Sequence, residues 1–83
     1  MRTIVVGRVA PAQLRVDDPY VSDRHCAIHE YASGVFSVED LGSTNGTYLV
    51  PPGGGEQRVR GLRSIPHGWR VRVGRTTLPW TAP

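Results

Sequence analysis

The chain has 83 residues, 39% hydrophobic and 20% charged. That is room for one core, and at this size only about 60% of the unfolded surface is buried, so an enclosed site for a large cofactor would consume most of the interior. A single cysteine, Cys26, excludes an intrachain disulfide framework, and with His25, His29 and His67 it forms no zinc-ligand spacing. The net charge of +3 comes from arginine with no lysine, which suits bidentate contact with phosphate or carboxylate but is equally what a GC-rich genome would produce, and it is too modest and dispersed to mark a nucleic-acid partner.

Ten glycines and seven prolines interrupt the chain so often that no helical apolar period persists, whereas a period of two recurs. In chain order the expected strands are Thr3 to Val6, Leu14 to Val16, His25 to Tyr31 with Cys26 and Ile28 on one face, and Val35 to Asp40 with Phe36 and Val38 on one face. Thr47 to Val50, Trp69 to Val73 and Thr76 to Trp80 follow. The clearest is Trp69-Arg70-Val71-Arg72-Val73, whose strict alternation puts Trp69, Val71 and Val73 on one sheet face and both arginines in solvent. Ala32-Ser33-Gly34 fits a hairpin link, and Asn45-Gly46 supplies the positive backbone angles of a tight turn. Pro51-Pro52-Gly53-Gly54-Gly55 cannot lie inside a sheet, so an exposed, mobile loop is expected near residues 51–57. Short strands separated by turn residues read as an all-β sandwich of antiparallel strands, with residues 1–83 as one domain. No run approaches the roughly 18 apolar residues of a membrane helix, and the first residues are too short in their apolar part for a secretory signal. No membrane partner is expected, and the cytoplasm is the default compartment.

Polar residues with no core-building purpose collect in three loops: Gly7-Arg8, Ser22-Asp23-Arg24-His25 and Ser43-Thr44-Asn45-Gly46-Thr47. They offer a guanidinium fork, hydroxyls and an amide. A phosphate of about −1.5 to −2 charges accepts charge-assisted hydrogen bonds from such groups and from backbone amides exposed by turns. No paired carboxylates, nucleophile with its base, or metal cluster is present, so no enzyme is expected. Gly53-Gly54-Gly55 lacks the Lys-Ser/Thr of a phosphate loop, and no cofactor is implied. Cys26 shares a face with Ile28 and reads as a small buried thiol.

Gly7-Arg8, then Ser22-Asp23-Arg24-His25, then Asp40-Leu41-Gly42-Ser43-Thr44-Asn45-Gly46-Thr47 resemble, in that order, the signature of the forkhead-associated (FHA) domain, an all-β sandwich that reads phosphothreonine peptides. The similarity runs from about Ile4 to Trp80 and includes Gly68 to Thr76. The resemblance implies that Arg8 binds phosphate, that Ser22 and Thr44 donate to its oxygens, and that Asn45 holds the peptide main chain, with Ser43 and Arg24 completing the phosphopeptide site. Asn45 is also suited to the left-handed position of a turn, and Arg24 either adds longer-range charge or points into solvent. Gly7, His25 and Gly46 are implied to support the binding loops, His25 through hydrogen bonds and not as a base or metal ligand. The implied partner is a phosphothreonine-containing protein or peptide, a Ser/Thr kinase or its substrate, with flanking specificity from Val16 to Val21, where Tyr20 is exposed, and from Leu41 to Thr44.

Two departures qualify this resemblance. Asp23 stands where some members make a further phosphate contact, and its charge would repel the ligand at contact distance. The chain also begins only a few residues before Gly7, so the sandwich is expected to lack the family's first strand or two, leaving an uncovered edge and an incomplete core. An open edge invites pairing, which gives a second reading: a phosphate-independent assembly module that forms a homodimer or is completed by a partner's strand at its N-terminal edge.

Overall fold

A computed structural model describes residues 1–32 and 34–83. These residues form nine strands and no helix: β1 (Arg2–Gly7), β2 (Leu14–Arg15), β3 (Cys26–Glu30), β4 (Phe36–Asp40), β5 (Thr47–Val50), β6 (Gln57–Arg58), β7 (Leu62–Ser64), β8 (Arg70–Val73) and β9 (Thr76–Thr81). One sheet has the order β2-β1-β3-β4-β7 and the other β6-β5-β8-β9.

The register explains how a chain of short strands makes a core. β1 and β3 pair antiparallel with Ile4 opposite Ile28 and Val6 opposite Cys26, and β3 pairs with β4 with Ile28 opposite Val38. Apolar side chains therefore form rows across one sheet, as the two-residue period requires. In the second sheet Leu49 lies opposite Val71 and Thr47 opposite Val73. Val6, Cys26 and Val38 meet Leu49, Val71, Val73 and Leu78 in one cluster, and Trp69 packs against its margin.

Several expectations are corrected. β2 runs parallel to β1, whereas the sequence suggested antiparallel strands throughout. Trp69 lies just before β8. Arg72 is not free in solvent: it hydrogen-bonds Glu56 through Nε at 2.9 Å and covers the Tyr48 ring at 4.2 Å. β6 and β7 were not expected, because both are short and largely exposed, with no apolar alternation to read; between and after them Val59 and Ile65 are buried in the core. Since Gln57 belongs to β6, the exposed Pro/Gly loop ends one residue before the expected limit. The hairpin link at Ala32-Ser33-Gly34 includes Ser33, which lies outside the described residues.

The uncovered edge is not at β1, which lies between β2 and β3; the six-residue β9, paired only with β8, is an open edge of the second sheet. β2 pairs with β1 at Val6 and Gly7, and the Gln13 side chain accepts the Val5 N–H at 2.8 Å. By the period of two, Thr3 is the remaining β1 residue whose backbone faces that side. The core gap is clearer: an apolar cleft of about 220 Å³ opens among Ile4, Leu14, Ile28, Phe36, Leu78 and Trp80. Arg2 and Glu30, 3.7 Å apart, stand beside it.

Candidate phosphate-binding cleft

The loops following β1, preceding β3 and joining β4 to β5 meet at one end of the sandwich. Gly7 permits the first meeting. A Cβ there would lie 1.9 Å from the Asp23 carbonyl oxygen and 2.8 Å from its carbon, so only glycine lets the two backbones approach. Across that contact Arg8 N donates to Ser22 O at 3.1 Å and His25 N to Val6 O at 2.9 Å.

His25 ties the second loop to the third. It is fully buried, accepts the Ser22 N–H on Nδ1 at 3.0 Å, and lies 2.8 Å through Nε2 from Gly46 O. A backbone N–H can only donate and a carbonyl can only accept, so these partners assign the neutral tautomer with the proton on Nε2. With both ring nitrogens engaged inside the protein, His25 is neither an available base nor a metal ligand.

Asp40, at the end of β4, organises the third loop. Its Oδ1 accepts from Ser43 Oγ at 2.5 Å and Thr47 Oγ1 at 2.7 Å, while Oδ2 accepts from the N–H groups of Gly42 and Ser43. Partial burial pushes this carboxyl up, but the hydrogen bonds from Ser43, Thr47 and Gly42 outweigh it and hold it below the usual range. Ser43 Oγ also accepts the Gly46 N–H at 3.1 Å. Only glycines have positive φ among the described residues, Gly46 at 88°. Asn45 is therefore not a left-handed turn residue, and its side chain is directed elsewhere: Nδ2 donates to Tyr20 O at 2.9 Å.

The result is an open cleft of about 410 Å³ lined by Arg8, Ser22, Thr44 and Asn45, with Pro19, Tyr20, Val21 and Asp23 completing its walls. The Thr44 N–H donates to Ser22 Oγ at 3.1 Å, so the Ser22 oxygen is held as an acceptor and its own proton is left to donate. Four of the six expected ligand-contacting residues share this cleft. Arg24 lines a separate depression with Val5, Pro11, Ala12 and Gln13, and the Ser43 hydroxyl is used inside the loop. Gly7, His25 and Gly46 lie beneath as braces. Asp23 lines the same cleft.

Sequence reasoning assigned no role to Asp40 or Asp18. Asp40 bonds two and three residues ahead, a spacing legible as an Asx turn. Asp18 likewise accepts Tyr20 N at 2.8 Å, but it also accepts Arg75 N and Thr76 Oγ1, both at 2.8 Å. Those partners lie in the turn between β8 and β9 and at the first residue of β9, and have no local signal. The Tyr20 N–H chiefly, with Thr76 and Arg75 adding to it against desolvation, lowers the Asp18 carboxyl. Cys26 is the opposite case: burial first, then the Asp40 charge, push its thiol up to about 12, so it is inert packing.

A β-sandwich with guanidinium, hydroxyl and amide donors converging on an open loop cleft defines a recognition surface suited to an oxyanion. The chain belongs to the FHA domain family, whose model matches residues 4–74. It is 37% identical over 75 residues to the FHA domain-containing protein FhaB of Mycolicibacterium smegmatis and, equally, to that of Mycobacterium tuberculosis, covering 90% of this chain and 44% of each relative. The chain thus spans less than half the length of these relatives. Among solved structures it is similar to the FHA domain of the CT664 protein from Chlamydia trachomatis, with a TM-score of 0.80 and 25% identity over 92% of this chain and 71% of that one. It also matches the FhaA FHA domain complexed with the intracellular domain of Rv3910, with a TM-score of 0.74 and 30% identity over 93% of this chain and 79% of that one. An FHA domain from a study of phosphothreonine-dependent FHA interactions matches with a TM-score of 0.72 and 30% identity, over 93% of this chain and 75% of that one.

Proposed function

We propose that this domain is a non-catalytic module that binds a phosphothreonine peptide, within Ser/Thr kinase signalling. The observation that carries the reading is the convergence of Arg8, Ser22, Thr44 and Asn45 on one cleft. Arg8 holds the phosphate with its guanidinium, and none of the side-chain ion pairs among the described residues uses it. Ser22 donates the proton that its bond from Thr44 N leaves available, and the Thr44 hydroxyl donates beside it. Asn45 retains Oδ1 and its second amide proton for the peptide main chain. Recognition by an arginine-centred site is one of the recurring peptide-binding modes. Arg24 contributes charge from outside the cleft, and Ser43 contributes by shaping the loop. The FHA domain solved in the phosphothreonine-dependent interaction study supports this ligand class. The test is titration of phosphothreonine peptides against wild type and Arg8→Ala. A loss of at least tenfold is expected, and affinity that survives the substitution unchanged removes the mechanism.

The apolar cleft at Ile4, Ile28, Phe36 and Trp80 favours a second reading, in which the domain docks or dimerises at its N-terminal end without phosphate. β2 and Gln13 leave little of the β1 side open, so the contact falls to that cleft and to the open edge strand β9, whose Leu78 and Trp80 line it. Sedimentation tests this reading: a concentration-dependent dimer disrupted by Phe36→Arg supports it, and a strict monomer excludes homodimerisation.

A further inference from the structure

We propose that Arg75, on the turn between β8 and β9, reads a second negative charge in the bound phosphopeptide: an acidic side chain or second phosphate a few residues from the phosphothreonine. The inference rests on the cleft being a phosphothreonine site and adds the ligand's flanking chemistry.

Arg75 is held beside the cleft by its backbone. Its N–H donates to Asp18 Oδ2, which also accepts from Thr76 Oγ1, while Asp18 Oδ1 accepts Tyr20 N. Asp18 thereby ties the turn to the segment carrying Tyr20, and its hydrogen bonds go to the Arg75 backbone and not to the guanidinium. The guanidinium lies 4.1 Å from the centroid of the Tyr20 ring, and Nη2 donates to the Tyr20 hydroxyl at 2.9 Å. Tyr20 is a wall of the phosphate cleft, 41% exposed, and its carbonyl accepts from Asn45, the residue assigned to the peptide main chain.

Arg72 supplies the contrast within the same fold. It stacks on Tyr48 at a similar 4.2 Å, but its donors are used by both Glu56 carboxylate oxygens and by Gly74 O. It is a satisfied structural arginine. Arg75 has five donors, of which one reaches Tyr20, and it is exposed and belongs to none of the ion pairs among the described residues. A planar cation fixed on an aromatic face, with donors to spare, loses little freedom when it meets a carboxylate or phosphate. The preference is confined to the part of the peptide that reaches Tyr20, the wall on which Arg75 is stacked.

The experiment uses alanine-flanked phosphothreonine peptides with aspartate placed in turn at each of the four positions on either side, and a second phosphothreonine placed at each of the same positions. Each is titrated against wild type, Arg75→Gln, and Arg2→Gln as a charge-matched control at the far end of β1. One flanking position is expected to tighten wild-type binding about three- to tenfold, the scale of one partly exposed charged hydrogen bond. The gain should vanish in Arg75→Gln and persist in Arg2→Gln. The alanine-flanked peptide should change less than twofold in Arg75→Gln, since the Asp18 bond to the Arg75 backbone remains. A larger gain from aspartate or from phosphate names the source of the charge. The assignment is overturned if no position gives more than a twofold gain, or if the gain survives in Arg75→Gln. Either result with binding still lost in Arg8→Ala removes the role of Arg75 alone. Absence of phosphate-dependent binding by wild type removes both readings.

Discussion

Gly7→Ala tests whether the cleft depends on one backbone contact. The new Cβ would lie 1.9 Å from Asp23 O and 2.8 Å from Asp23 C, with Ala12 Cβ at 3.2 Å. Carbon contacts normally settle near 3.5–4.0 Å, so the Asp23 backbone must retreat by roughly 1.5 Å. Gly7 is not among the glycines with positive φ, so conformational preference contributes little and the effect is steric. Overpacking costs about 1–3 kcal/mol, and the displaced Arg8 N to Ser22 O bond adds about 1 kcal/mol. A total near 2–4 kcal/mol is a large part of the roughly 4–12 kcal/mol expected for a domain of this length. At about 4–8 °C per kcal/mol, Tm should fall by at least about 8 °C. Peptide affinity should fall with it, because Ser22 and Asp23 move together. Thermal unfolding by circular dichroism and a peptide titration read both effects. An alanine variant that melts within about 3 °C of wild type and binds with full affinity would refute the steric argument.

The other expectations concern the groups beneath and beside the cleft. His25→Ala leaves Ser22 N and Gly46 O without their partner; at about 1–3 kcal/mol for each buried group, destabilisation of several kcal/mol is expected, with hydrogen exchange accelerating first at Ser22. Asp40 has a folded pKa below its ordinary 3.8, so its contribution is complete above about pH 4 and is lost as pH falls through the folded value. Denaturant titrations between pH 7 and pH 2 should show that acid loss in wild type, and Asp40→Asn should be weaker by about 1–2 kcal/mol at pH 7 with a flatter acid limb. Cys26, with its thiol pushed up to about 12 by burial, should react with a thiol reagent only after unfolding. Replacing phosphothreonine by phosphoserine removes one methyl from the ligand, and if that methyl packs on the apolar walls at Pro19 and Val21, affinity should fall by about 1–3 kcal/mol.

What could be read from the chain depended on the range of the interactions. The alternation in Trp69 to Val73 and in the Cys26 and Phe36 segments is local, and the strands followed it. β6 and β7 have no alternation because they lie at sheet margins and are largely exposed; their pairing is decided by neighbours many residues away. The same division separates the residues of the cleft. Arg8, Ser22, Thr44 and Asn45 sit in short motifs whose order alone brings them forward, although the sequence could not show that Arg24 faces a different depression or that Ser43 is engaged by Asp40. Asp18 is hardest to read, since its decisive partners lie 57 and 58 residues further on. Yet that carboxylate positions Tyr20 against Arg75, so this wall of the cleft is built by a contact with no sequence signature. The four residues proposed to grip the phosphate are thus local and legible. Arg75, proposed to read the flanking charge, comes from a turn distant in the chain that only the folded structure brings to Tyr20.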